Sequence, residues 1–300
     1  MYKYWGFGLH IASEIEFPEL LPMEFDLPDV EFVLGKMPEI KEDISVSTKN
    51  FSYYITDNEL LFKVYDIAGY YAANGNKIII EPFTNVQDMR SIRLYVLATA
   101  IAAILLQRGL LPLHASAIIK NDELVFITGD SQAGKSTTLA GLLKNGNTVF
   151  SDDVVVIKKN ENSKITVSAS YPMMKLWDDT LDKLNDALFR DRSFRVKHDI
   201  DKYGIFFHDN FNTNSYSVSK VFILRKQEIP QIVSRKLKGT EAFDALTKQV
   251  YRPMLIHNNS LRALCFTLLT DIVQNSSIYE VCRPLECNPD ELLKYVETFL

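Results

Sequence analysis

The chain has 300 residues, 47% of them apolar and 24% charged, a globular composition that excludes a disordered or collagen-like chain and sets a prior of about two domains. Lys and Arg number 33 against 38 Asp and Glu, a formal net charge of −5, which argues against a general binder of phosphate backbones, so no nucleic acid polymer is expected as a partner. Cys265, Cys282 and Cys287 form no paired spacing; neither a disulfide framework nor a zinc site follows, and a reducing, cytoplasmic compartment fits.

The N-terminus, MYKYWGFGLHIASEIEFPEL, is amphipathic and acidic and lacks an uninterrupted apolar core, so no secretory signal is expected. Short aromatic and β-branched runs follow at Phe51–Ile55, Leu60–Tyr65, Tyr70–Ala72 and Lys77–Ile80, with a turn at Asn74-Gly75-Asn76. This pattern predicts hairpins. The stretch Phe17–Pro38, with Pro18, Pro22, Pro28 and Pro38, predicts an irregular wrap. These segments together predict a β-rich N-terminal subdomain over 1–85, with the remainder of the chain, 86–300, as a second unit.

From Val86 to Gly109 the pattern turns helical. Its apolar run Leu94–Leu106 is shorter than the roughly 18 to 20 residues that span a bilayer, and Arg93 and Arg108 bracket it. A buried helix is predicted there, and no membrane partner. Residues Leu113–Ile119 then read as a strand, Lys120–Glu123 as a tight turn, Leu124–Thr128 as a second strand, Ser136–Leu143 as an amphipathic helix, and Thr148–Ser151 as a buried strand.

Between the second strand and the helix lies Gly129-Asp130-Ser131-Gln132-Ala133-Gly134-Lys135-Ser136, followed by Thr137. It satisfies G-x-x-x-x-G-K-[ST] in the strand-loop-helix context which that motif requires. Gly129 and Gly134 let backbone N–H groups fold around a phosphate, and the helix beginning near Lys135 turns its positive end to the same anion. Lys135 can reach the β and γ phosphates, and Ser136 offers a hydroxyl to Mg²⁺. The expected ligands are therefore a nucleotide, ATP, and Mg²⁺.

Past the helix, Ser151-Asp152-Asp153-Val154 puts two carboxylates at a strand end. One can serve the magnesium and the other can accept a proton from an attacking hydroxyl, provided the strand ends or bends there; a solvated pair at a strand end is the competing reading. His114, in Leu113-His114-Ala115-Ser116, falls at the site's edge if the hairpin register holds, although a lone histidine on an apolar strand is more often a hydrogen-bonded core residue. The basic stretch Phe189–Lys202 supplies cations that could close over phosphates, or else forms an exposed charged loop, and residues 156–260 as a whole carry 18 Lys and Arg against 12 Asp and Glu. Met173–Trp177 reads as core and is assigned no chemistry.

The run Leu113–Ala117, the segment Phe126–Ser136 and the sequence Phe150-Ser151-Asp152-Asp153 resemble the catalytic domain of HPr kinase/phosphorylase. The resemblance extends to HPr-kinase-related proteins of ribosomal-peptide clusters, including lasso-peptide precursor kinases, through Gly8–Ile15, Gln107-Arg108-Gly109, Lys175-Leu176-Trp177, Asp201-Lys202 and Tyr251-Arg252-Pro253. It implies an α/β, phosphoenolpyruvate-carboxykinase-like P-loop fold with a mixed sheet. It further implies Asp152 as base toward a serine hydroxyl, Asp153 with Ser136 at magnesium, His114 beside the γ-phosphate, and a homo-oligomer. The acceptor it implies is the C-terminal serine of a short precursor peptide. Thr137 stands where such kinases commonly carry glutamate, and no Ile-Arg-Gly-like segment is evident, so kinase activity alone is expected. The residues themselves leave open a small-molecule kinase, acting on an amino acid or sugar, and a non-catalytic nucleotide-sensing module.

Overall fold

A computed structural model describes residues 1–39, 46–47, 51–83, 89–184 and 186–300. The predicted boundary at 85/86 and the start of the predicted helical segment at Val86 lie outside the described residues. Among the described residues the N-terminal part forms a nine-stranded sheet. Tyr2–Gly6 and Leu9–Ser13 make a hairpin, Val30–Leu34 runs parallel to both Leu9–Ser13 and Lys77–Pro82, and a meander returns through Ala68–Ala73, Glu59–Val64 and Phe51–Ile55. The turn predicted at Asn74-Gly75-Asn76 is a three-residue loop between Ala73 and Lys77, with Asn74 and Gly75 at positive φ.

The proline-rich stretch is more ordered than predicted. Val30–Leu34 is an interior strand of the sheet, because Val30 and Phe32 alternate inward with no exposed surface while Pro28 and Pro38 stay outside its ladder. Phe17 and Leu20 are buried beside it.

A helical segment, Met89–Gln107, covers this sheet, with wider π-type turns over Val96–Ala100. Ile92, Val96, Ala100, Ile104 and Leu105 have no exposed surface, and they join one continuous apolar cluster shared with the sheet and the following strands. The segment closes on Gly109 at φ 72, with Leu110 N–H donating to the Leu105 carbonyl, a C-terminal cap that satisfies an otherwise orphaned carbonyl. At 19 residues it is long and apolar enough to cross a membrane, which corrects the argument from the shorter apolar run, but 72% of its apolar window is buried inside the protein. The bracketing arginines are used internally: Arg93 pairs with Glu19 and Arg108 with Asp29.

The second sheet has six strands in the order Thr148–Ser151, Ala115–Lys120, Glu123–Gly129, Val218–Gln227, Ser277–Pro284 and Val233–Leu237. Glu123–Gly129, Val218–Gln227 and Ser277–Pro284 run parallel and the flanking pairs antiparallel, the mixed α/β arrangement expected. Helices Lys135–Lys144 and Pro289–Glu297 pack on one face through Leu139, Leu142, Leu292 and Val296, while Asn259–Asn275 covers the other through Leu268, Leu269 and Ile272.

The single strand predicted over Leu113–Ile119 is broken at His114. Leu111–Leu113 pairs with Val155–Lys159, whereas Ala115–Lys120 pairs with Glu123–Gly129. His114 is the hinge between two sheets, and its N–H donates to the Gln249 carbonyl at 2.7 Å. The break carries the imidazole to the mouth of a cleft.

Candidate phosphate-binding site

The buried strand Glu123–Gly129 delivers its last residue to the carboxyl edge of a parallel sheet, where α/β proteins place their ligands. Gly129 has φ +133, and a Cβ there would lie 2.0 Å from the Leu224 carbonyl oxygen, so only glycine fits. The loop continues through Gln132 at φ 62 and Gly134 at φ 109 into the helix Lys135–Lys144. No side chain caps that helix, which leaves its first-turn N–H groups free for an anion.

The loop is braced from outside. Arg283 donates from Nε to the Ala133 carbonyl at 2.8 Å and from Nη2 to the Gln132 carbonyl at 2.9 Å. Arg225 pairs with the Asp130 carboxylate and with Glu280. Gln249, only 4% exposed, accepts at Oε1 from Thr128 Oγ1 and from the Gly129 N–H. Buried amides of this kind fix a backbone because leaving one unpaired costs about 1–3 kcal/mol.

Lys135 folds back, with Nζ donating to the Gly129 and Asp130 carbonyls at 3.0 Å each. Burial, the largest influence on it, lowers its pKa from the usual lysine value, so the site favours bringing an anion to this ammonium.

The strand Thr148–Ser151 ends before the two aspartates, and Asp153 takes a left-handed φ of 70. That bend sends the carboxylates apart. Asp152, 1% exposed, accepts from Ser116 Oγ at 2.7 Å, from Ser136 Oγ at 3.3 Å and from the Lys175 N–H at 2.9 Å. Asp153, with 24% of its side chain exposed, faces the cleft and pairs with Lys175 Nζ at 2.9 Å. The hydroxyl of the loop serine therefore meets Asp152, whereas the family resemblance implied Asp153 with Ser136 at magnesium. The physical reason is the positive φ at Asp153.

His114 Nδ1 lies 2.7 Å from the Asp153 carbonyl oxygen and 3.4 Å from its Oδ1. Both neighbours only accept, which assigns the proton to Nδ1 and leaves Nε2 unengaged by them. Burial would raise the Asp153 carboxyl, but Lys175, His114 and Lys202 together hold it well below the carboxylate range. The same pairing holds Lys175 above the usual lysine value against its own burial.

Loop, helix start, Asp153 and His114 line one cleft of about 700 Å³. Trp177, 47% exposed, forms part of its wall, with Lys202 Nζ 5.6 Å from its ring centroid. All the predicted loop residues from Gly129 to Thr137 are thus gathered in one strand-loop-helix unit, and Asp152, Asp153 and His114 are brought to it. The basic stretch is not, apart from Lys202: Arg192 pairs with Asp178 and Asp182, Arg195 with Asp201, and Lys197 with Asp199, while Phe189 is core. Met173–Trp177 is the converse correction, because it supplies Lys175 to Asp153 and Trp177 to the cleft wall. A lysine within an apolar strand was the available signal, since a buried ammonium needs a carboxylate partner. Nothing local in the sequence marks Gln249 or Arg283.

Among the described residues no group of three or more His, Cys, Asp and Glu is gathered in a way that could hold a metal. Ser136 Oγ and Asp152 Oδ1, hard oxygens 3.3 Å apart, nevertheless fit Mg²⁺, which takes few protein ligands and completes its shell with water and phosphate.

The chain matches no protein-family profile and no curated protein. Among solved structures it is similar to the HPr(Ser) kinase/phosphatase from Coxiella burnetii, at 14% identity over 63% of this chain and 89% of that one, with a TM-score of 0.32. So loose a superposition decides neither fold nor activity, and the local geometry alone bears on function.

Proposed function

We propose that the chain is a Mg²⁺-dependent phosphotransferase that moves the γ-phosphoryl group of ATP to a serine hydroxyl, with the motif resemblance pointing to the C-terminal serine of a short, lasso-type precursor peptide as acceptor. The observation that carries the reading is the divergence of two adjacent carboxylates, one onto the loop serine and one into the cleft. The loop amides and Lys135 hold the phosphates, and Lys135 exchanges its two carbonyl partners for them. Mg²⁺ held by Ser136 and Asp152 would offset charge on the β- and γ-phosphate oxygens.

Asp153, kept ionised by Lys175, accepts the proton of the serine hydroxyl; the freed oxygen attacks the γ-phosphorus in line, and the β–γ bridging oxygen leaves with ADP. His114 fixes the backbone of Asp153 through Nδ1 and presents Nε2 to the reacting region. The geometry favours Asp153 as base and Asp152 at the metal, an exchange of the roles that the resemblance implied.

Incubation with γ-labelled ATP, Mg²⁺ and a short peptide ending in serine should move label to the peptide, with mass spectrometry locating one phosphate on that serine. Label passing only to free amino acids or sugars would favour a small-molecule kinase. Nucleotide bound without transfer to any acceptor would leave a sensing module and overturn the catalytic reading.

A further inference from the structure

Beside the phosphate loop lies a second pocket of about 420 Å³ lined by His114, Asp130, Ser131, Lys248, Tyr251 and Arg252, among others. It shares His114 and Ser131 with the main cleft, so a group bound here lies next to the reacting phosphate. The segment that forms its wall is anchored: Leu113 bridges to Val250, Tyr251 N–H donates to the Pro112 carbonyl at 3.0 Å, and Tyr251 packs 6.0 Å from the His114 ring.

Arg252 stands in this wall under two kinds of tension. Its backbone is left-handed, φ 53 and ψ 58, a conformation that costs a non-glycine residue about 1–2 kcal/mol and persists where surroundings impose it. Its Nε is buried without a hydrogen-bond partner. Its guanidinium lies 5.2 Å from the Tyr251 ring centroid, and neither Arg252 nor Lys248 enters an ion pair among the described residues. The one carboxylate of the pocket, Asp130, is already held by Arg225. The pocket is therefore cationic, with a guanidinium that hydrogen-bonds Tyr251 and leaves its Nε unpaired.

We infer that Arg252, with Lys248, binds an anionic group of the acceptor, a carboxylate adjacent to the hydroxyl that receives the phosphate. This rests on the phosphotransferase reading and adds to it the residues that hold the carboxylate a C-terminal serine carries: Arg252 is a specificity-determining residue. A guanidinium suits this task because its planar fork matches a carboxylate bidentately.

The test compares two short fluorescein-labelled peptides of the same sequence, ending in serine as the free acid or as the amide. The wild type should prefer the acid by about ten- to a hundredfold in kcat/KM, the worth of a charged hydrogen-bonded pair, with the difference in KM. In Arg252→Asn, a residue type that tolerates the left-handed backbone, the ratio should fall to near one, and Arg252→Lys should restore part of it. Lys248→Ala should reduce it more modestly. Equal use of acid and amide by the wild type, or an unaltered preference in Arg252→Asn, would overturn the inference. So would a loss confined to ATP affinity, which would assign the guanidinium to the nucleotide's γ-phosphate instead. Anisotropy with the same peptides and bound nucleotide separates the two levels: acid-selective binding without phosphorylation would sink the catalytic reading and keep the anion site.

Discussion

Asp153→Asn is expected to lower kcat by about a thousandfold, the range for losing a positioned proton acceptor, while changing ATP affinity little. The carboxylate faces the cleft and lies outside the loop, so its removal leaves the phosphate cradle intact. Asparagine keeps an oxygen for Lys175 Nζ and for His114 but removes the counter-charge of a buried ammonium, so the variant also loses stability, and its turnover is compared at a temperature where urea denaturation shows it folded. Asp152→Asn is the contrast, because that side chain meets Ser136 and Ser116; there the loss should fall first on Mg²⁺-dependent nucleotide affinity. Single-turnover rates and nucleotide titrations of both variants separate the roles. Near-normal turnover in Asp153→Asn would remove it as base and return that role to its neighbour.

Lys175→Met carries the largest expected stability loss, about 3 kcal/mol, the lower end of the cost of breaking a buried ion pair from one side. Lys175 is 8% exposed and Asp153 would keep a charge without its main counterion. The pH dependence follows from both directions of shift. Asp153 has a depressed carboxyl, so its contribution is present above the ordinary value of 3.8 and lost as pH falls through the folded-state value. Lys175 has a raised ammonium, so its contribution is complete below the ordinary 10.5 and lost as pH rises through the folded-state value. The pair thus stabilises the fold across the whole neutral range. Urea denaturation of wild type and Lys175→Met at pH 7 and pH 3 should show the deficit at pH 7 and a narrower one at pH 3, below the ordinary carboxyl value of 3.8. Equal stability at pH 7 would mean that the pair contributes nothing net.

Much of the site was legible because its chemistry is local. Eight consecutive residues dictate the phosphate loop: Gly129 because a Cβ would strike the Leu224 carbonyl, Gly134 because the chain turns through positive φ, and Lys135 and Ser136 because they start the helix. The divergence of Asp152 and Asp153 was anticipated as a condition, that the strand must end there, but the direction each side chain takes depends on the φ of Asp153, which no residue type announces. What sequence distance hid was cooperation: Gln249 reaches Gly129 across 120 positions and Arg283 reaches Ala133 across 150. Val30–Leu34 was masked by flanking prolines that bound the strand without interrupting its alternation. Arg192 and Arg195 misled in the opposite sense, since acidic neighbours on the same stretch and on the helix Asp178–Leu184 neutralise them.

The most direct measurement is calorimetric titration of the protein with ATP in the presence and absence of Mg²⁺, alongside Lys135→Met. A saturable, Mg²⁺-enhanced heat that weakens at least tenfold in the variant is the expected outcome, as loss of one charged contact to phosphate implies. No heat with the intact protein, or identical binding after the lysine is removed, would contradict the account.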